Sequence, residues 1–373
     1  MLRVSFFFIT INILFSKNVH RGDDLVKKGV YAFYNYEYDR SLEILNRART
    51  DYPNHPGVHF IWAAASWSRG LANHSADSAH VILEKSLSEV TPIYEKLVNE
   101  NPIDPYYRLY QGSAIGLNAR VTLAKKKWLS TLFRAYRGFI IINKVHENNP
   151  EITDAHLPLG IVEYYSGRSN RLLKFAIEFF GLNPSTISGL NQISKAADHG
   201  DWSWIEANGI LSFLYLWVED DPVLAAKYSR RIADNFPNNF YYRLMLLEAT
   251  TKNGNYEESE KLVANLNSIS EKLTARQKAW YFPYLKYQIA FLMFEQKNYE
   301  GALTLVQEAI ETYDGELDII LGFAYLLLGK IYDLNGNRNM AKSNYESCLN
   351  LNNLSSAMIE AYDYMKRPYT APK

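Results

Sequence analysis

The sequence has a single cysteine, Cys348, in 373 residues. This excludes an intramolecular disulfide framework and a zinc site built on several thiolates. Neither sign of charge is in excess: 40 Lys and Arg stand against 40 Asp and Glu. No global field draws the chain to nucleic acid, which is not an expected partner. Long apolar runs are also missing. The run Val4 to Phe15, behind the lone cation Arg3, is too short to span a bilayer as a helix. Residues 1–21 therefore read as an export signal. That reading places the chain in a bacterial periplasm or envelope, without a transmembrane segment. Phosphate loops are absent, because neither Gly112–Gly116 nor Gly181–Ser185 leads into a Lys-Ser/Thr pair. His55 and His59 are four apart, but Pro56 and Gly57 put the first outside any helix, so they do not form a metal pair. His156 and Glu163, seven apart on one helical face, read as a packed histidine beside a carboxylate. Glu219-Asp220-Asp221 precede Pro222, where acids cap a helix. No serine sits in a nucleophile elbow. The expectation is no catalytic residue, no metal, no cofactor and no small-molecule substrate.

What the sequence does have is helical periodicity from Gly22 onward, broken by Pro, Gly and Asn, and an unusual load of 28 tyrosines. No stretch sustains the period of two that strands require. The clearest segment is Tyr325-x2-Leu328-Gly329-x2-Tyr332, a break at Asn335-Gly336-Asn337, then Ala341-x3-Tyr345. Gly29, Ser41 and Pro53 repeat the twelve-residue interval that separates Gly329 from Ala341. This spacing resembles the tetratricopeptide repeat, in which small residues on one helix admit large ones from its partner. The resemblance implies an all-α, right-handed superhelix of helical hairpins, a tetratricopeptide-like solenoid over about residues 22–365. Within it, 22–150 hold N-terminal repeats with an insertion at 71–88, 151–200 a divergent helical segment, and 201–365 the C-terminal repeats with a capping helix. Residues 366–373 form a tail.

The middle of the chain carries a second likeness. Glu163-Tyr164-Tyr165, a Leu-Leu-Lys run ending Phe180-Gly181-Leu182, Gly189-Leu190, Ala196 to Gly200 and Phe236-Pro237-Asn238 resemble the tetratricopeptide repeat protein 39 family and similar bacterial repeat proteins. That family is implicated in handling organelles at membranes and brings no catalytic residue. The run 172–182 is amphipathic, which motivates a second reading of the chain as a lipid- or membrane-surface adaptor making peripheral contact. The principal reading is a non-catalytic scaffold that holds a protein or peptide. In proteins with repeats of this kind the first helix of each unit lines the concave face, and one such position lies six residues before the glycine slot. Counting from Gly112, Leu247, Ala290 and Gly329 nominates Tyr106, Tyr241, Tyr284 and Phe323. Neighbouring groove positions add Phe33, Tyr34, Tyr164, Tyr165, Tyr287 and Phe294. Together they predict an aromatic-lined groove for an extended or helical peptide.

Overall fold

The computed structural model describes residues 20–124, 127–168, 185–315 and 318–371. The export run and the amphipathic segment 172–182 lie outside them. Among the described residues there is no strand. Among the described residues the helices pair into eight hairpins. The first three are α1 (Asp23–Tyr34) with α2 (Tyr38–Asp51), α3 (Val58–Asn73) with α4 (Ala76–Glu100), and α5 (Pro105–Leu117) with α7 (Trp128–Asn148), the short α6 (Ala119–Ala124) intervening. Next come α8 (His156–Gly167) with α9 (Thr186–His199), and α10 (Trp204–Trp217) with α11 (Pro222–Asn235). The last are α12 (Phe240–Lys252) with α13 (Tyr256–Ile269), α14 (Ala275–Glu295) with α15 (Tyr299–Glu311), and α16 (Ile319–Leu334) with α17 (Arg338–Asn350). A final helix, α18 (Ser356–Lys366), packs on α16 and α17.

The repeat shows in the backbone as well as in the spacing. Five hairpins turn through one residue with positive φ: Tyr36 (66°), Asp220 (53°), Gly254 (74°), Lys297 (64°) and Gly336 (73°). A left-handed residue ends a helix by satisfying its last carbonyls, as at Gly336, where the Asn335 and Gly336 amides donate to the Ile331 and Asp333 carbonyls. Three of the helices that follow are capped by side chains, from Asp221, Asn298 and Asn337. Asp221 accepts from the Leu224 amide at 3.0 Å and Asn337 from the Met340 amide at 3.3 Å. Thr274 and Gln277 form a reciprocal capping box on α14.

Within hairpins, small residues admit the partner helix. A Cβ on Gly160 would meet the Gly189 carbonyl at 2.8 Å, and one on Gly189 would meet the Tyr164 amide at 2.5 Å, so α8 and α9 cross backbone to backbone. Gly329 faces the ring of Tyr345, which is fully buried. Stacked hairpins share one long core running from Val26 and Leu45 through Trp217 and Leu247 to Ile331 and Ala361, with smaller clusters in the second and third hairpins. The solenoid also bends back on itself. Helix α3 touches α14, the Thr274 hydroxyl donates to the Ala72 carbonyl, and the Ser356 hydroxyl donates to the Trp217 carbonyl at 3.3 Å.

His156 is a packed histidine, buried on α8, with Glu163 close enough to act on its charge; its hydrogen bond goes to the next helix, Nδ1 meeting Gln192 Oε1 at 3.3 Å, while Glu163 accepts from the Ser188 hydroxyl at 2.7 Å. Residues 71–88, expected as an insertion between the helices of the second unit, are themselves helical. They are the end of α3, a short break capped by Ser75, and the first half of a 25-residue α4.

Candidate functional site

First helices contact one another along the solenoid, α10 with α12, α12 with α14 and α14 with α16. Their tyrosines and phenylalanines meet along that line. The nominated aromatics fall into two groups joined by a pair of rings.

The C-terminal group lines a cavity of about 260 Å³ among α12, α14, α16 and α18. Three nominated residues converge there, Tyr287, Phe294 and Phe323, together with Phe291, Leu326 and Leu327. Four charged side chains stand at its edge in opposed pairs. Lys252 binds Asp220 at 2.8 Å and lies 5.0 Å from the centre of the Phe323 ring; Lys330 binds Glu360 at 2.6 Å. Glu295 also lines the cavity, and burial raises its carboxyl above the usual range although Lys330 and Tyr256 act against that. The result is an apolar floor with an ionic rim of two lysines and three carboxyl groups. Tyr369, in the tail, rests on Phe294, with ring centres 5.9 Å apart, and is tied down by its amide donating to Asp333 at 2.8 Å.

Behind this cavity sits a buried acid. Glu248 on α12 is fully enclosed and accepts from the Gln288 amide and from the Tyr284 hydroxyl at 3.4 Å. Burial pushes its pKa up, opposed by Lys252 and by its hydrogen bonds. Tyr284 and Tyr287 are likewise raised well above the phenol value by burial and by Glu248. Their hydroxyls stay protonated donors across neutral pH.

The second group lies where the first hairpin meets the fifth to seventh. Tyr34 on α1 donates to Glu206 on α10 at 3.1 Å, and the Phe33 ring packs beside it, tilted by 54°, with ring centres 4.5 Å apart. Tyr241 lies 6.3 Å from Tyr281 and 6.4 Å from Tyr284, so Tyr241 and Tyr284 join the two groups into one strip. Glu206 is open to solvent on one side but crowded enough that burial raises its pKa, against the Tyr34 bond and the Arg120 charge.

The remaining nominated residues stand apart. Tyr106 packs edge-on against His20 with ring centres 5.0 Å apart. Tyr164 is buried and donates to Glu219 at 2.5 Å, beside the Arg168–Glu219 pair at 3.1 Å; Tyr165, its neighbour, is 36% exposed. Half of the nominated side chains bury their rings between hairpins, Tyr284 and Tyr287 at 4% and 2% exposure, and the others leave a ring edge or polar tip at the surface. Sequence counting missed Phe291, Tyr36, Tyr281 and Asn239. Phe291 lies four residues after Tyr287 and Tyr281 three before Tyr284, on the same faces of α14, and that spacing could have found them.

Among the described residues no three His, Cys, Asp or Glu side chains gather as metal ligands, and no helix is long and apolar enough to cross a membrane. The run 172–182, on which a membrane-adaptor role turned, lies outside those residues.

No family model matches the chain, and no curated protein matches it either. Solved structures do. A tetratricopeptide repeat protein from Parabacteroides merdae is 13% identical, covering 93% of this chain and 99% of its own, with a TM-score of 0.32. NprR in complex with its cognate peptide NprX is 10% identical over 93% of this chain and 85% of its own, TM-score 0.44. The human IFIT1 dimer with PPP-AAAA is 13% identical over 94% and 86%, TM-score 0.42. The chain is similar to these as a helical repeat protein, and its architecture rests on the hairpins described above.

Proposed function

We propose that this chain is a non-catalytic, exported scaffold of the tetratricopeptide type that holds a peptide segment of a partner protein against its aromatic inner strip. The observation that carries the reading is the cavity where Tyr287, Phe291, Phe294 and Phe323 meet under the Lys252–Asp220 and Lys330–Glu360 pairs. Its floor suits one large apolar side chain. Its rim offers donors and acceptors to the backbone on either side, as groove recognition of a peptide requires. Burying one such side chain stabilises a complex by about 1.5–3 kcal/mol, enough to make this contact dominant. The test is to pan a displayed random-peptide library against the full chain and measure the selected peptide on Phe291→Ala, a half-buried floor position. Affinity lower by about tenfold or more supports the reading, since about 1.4 kcal/mol is one decade. Unchanged affinity would move the binding site elsewhere. Export is tested separately by fractionating cells that carry the chain with and without residues 1–21.

A further inference from the structure

The first hairpin is held twice, by different residues. Its stacking on the second uses Val26, Val30, Leu45 and Ala48, which share a buried core with Val58 and Ala65, and its own crossing is fixed by the Ser41 hydroxyl donating to the Gly29 carbonyl at 2.7 Å. Independently, its turn reaches some two hundred residues along the chain. Asn239 donates through Nδ2 to the Tyr34 carbonyl at 2.8 Å while its Oδ1 caps α12 at the Tyr242 amide. The Asn238 amide donates to Asn35 Oδ1, and the Tyr241 amide to the Tyr36 hydroxyl, both at 3.4 Å. The Tyr36 and Tyr281 hydroxyls meet at 2.9 Å, and their rings lie 9° from parallel.

Tyr36 is the telling residue. It occupies the positive-φ slot that Asp220, Gly254, Lys297 and Gly336 fill in later hairpins, and it is the one aromatic side chain among the five, in a conformation that suits glycine best. A tyrosine kept there has its use in what its ring and hydroxyl touch. Tyr34, Asn35, Tyr36 and Tyr38 are only half-buried, so the contact lies at the edge of the core and not within it. A stacking neighbour in a solenoid needs no such contact, since each hairpin is supported by the next.

We propose that Glu206, Asn239, Tyr241 and Tyr281 form a docking cradle for a turn with tyrosines two residues apart, and that residues 34–36 are its occupant in cis. The turn of the first hairpin is then a latch over Tyr241 and Tyr281, displaced by a partner's peptide of the same chemistry. The cradle is separate from the cavity at Phe291 and does not depend on it.

The experiment uses the full chain in a Cys348→Ala background and a fluorescein-labelled synthetic peptide of residues 31–41, read by anisotropy. Tyr36→Gly removes the cis ring while easing the turn. It is expected to bind the peptide at least tenfold more tightly than the parent, and adding Tyr281→Ala is expected to abolish that binding. In a second variant, Asn35→Cys with Asn238→Cys, oxidation is expected to block the peptide and reduction to restore it. Phe291→Ala is expected to change none of this. The proposal is overturned if Tyr36→Gly, with helical content and melting intact, binds no better than the parent. It is overturned equally if oxidised and reduced staples show the same binding and hydrogen exchange at residues 236–242, or if light scattering shows that opening the latch yields only a swapped dimer.

Discussion

Replacing Gly329 by alanine tests the packing rule on which the solenoid is built. Alanine favours the interior of a helix over glycine by about 1 kcal/mol, so propensity alone forecasts a stabler protein. Packing forecasts the opposite. The new methyl group would lie 2.6 Å from Cδ1 of Tyr345 and closer still to the next ring carbon. That ring cannot yield easily. It is fully buried, its hydroxyl donates to Asp333 at 2.9 Å, and Tyr364 lies against it with ring centres 5.7 Å apart. Overpacking costs about 1–3 kcal/mol, and a side chain pinned at both ends belongs near the upper figure. The expected net loss is about 2 kcal/mol. Gly116 is the control, because a Cβ there meets nothing within 4 Å and the propensity gain of about 1 kcal/mol should appear in full. A solenoid need not unfold in one step. Amide hydrogen exchange at α16 and α17 is therefore the right assay, with urea unfolding by circular dichroism beside it. Gly329→Ala should exchange there about thirtyfold faster than the parent, while Gly116→Ala should be neutral or protective at α5. Equal or greater protection in Gly329→Ala would refute the small-against-large packing argument.

Further expectations concern single groups. Because burial raises the folded pKa of Glu248, its protonated form contributes stability that is present below the ordinary glutamate pKa and is lost as pH rises toward the folded value. Glu248→Gln should thus show a shallower fall in urea midpoint than the parent from pH 4.5 to 7, and parallel profiles would contradict it. Asp154 accepts from the Trp202 and Ser203 amides and the Ser203 hydroxyl at 2.7–3.1 Å, so Asp154→Ala should destabilise by about 2–3 kcal/mol in thermal unfolding, and Asp154→Asn by less. Cys348 is buried with its thiol pushed up to about 12, so Ellman's reagent at pH 8 should label it only after denaturant is added; rapid native labelling would contradict its placement.

The fold was legible because its signals are local. The Gly329–Ala341 interval, the Asn-Gly-Asn turn and the Asp221-Pro222 start each act over a few residues, and the structure places a hairpin, a left-handed turn and a cap there. Register counting on first helices also brought Tyr287, Phe294 and Phe323 to one cavity, because a helix fixes which residues share a face. It could not place Tyr106, whose neighbour His20 lies far off in sequence. Nor could it foresee the Tyr36–Tyr281 contact, which depends on how far the solenoid curls after six hairpins. That curl accumulates from small rotations at every interface, and no single residue encodes it. His156 shows the same limit on a smaller scale, since spacing placed Glu163 nearby and the neighbouring helix supplied Gln192 as its hydrogen-bond partner.

The most direct test of the account is hydrogen exchange on the full chain with and without a library-selected peptide. Binding in the aromatic cavity predicts new protection within 287–295 of α14 and 319–330 of α16, the segments that form its floor. Protection confined to α13, α15 and α17, with those two segments unchanged, would contradict it.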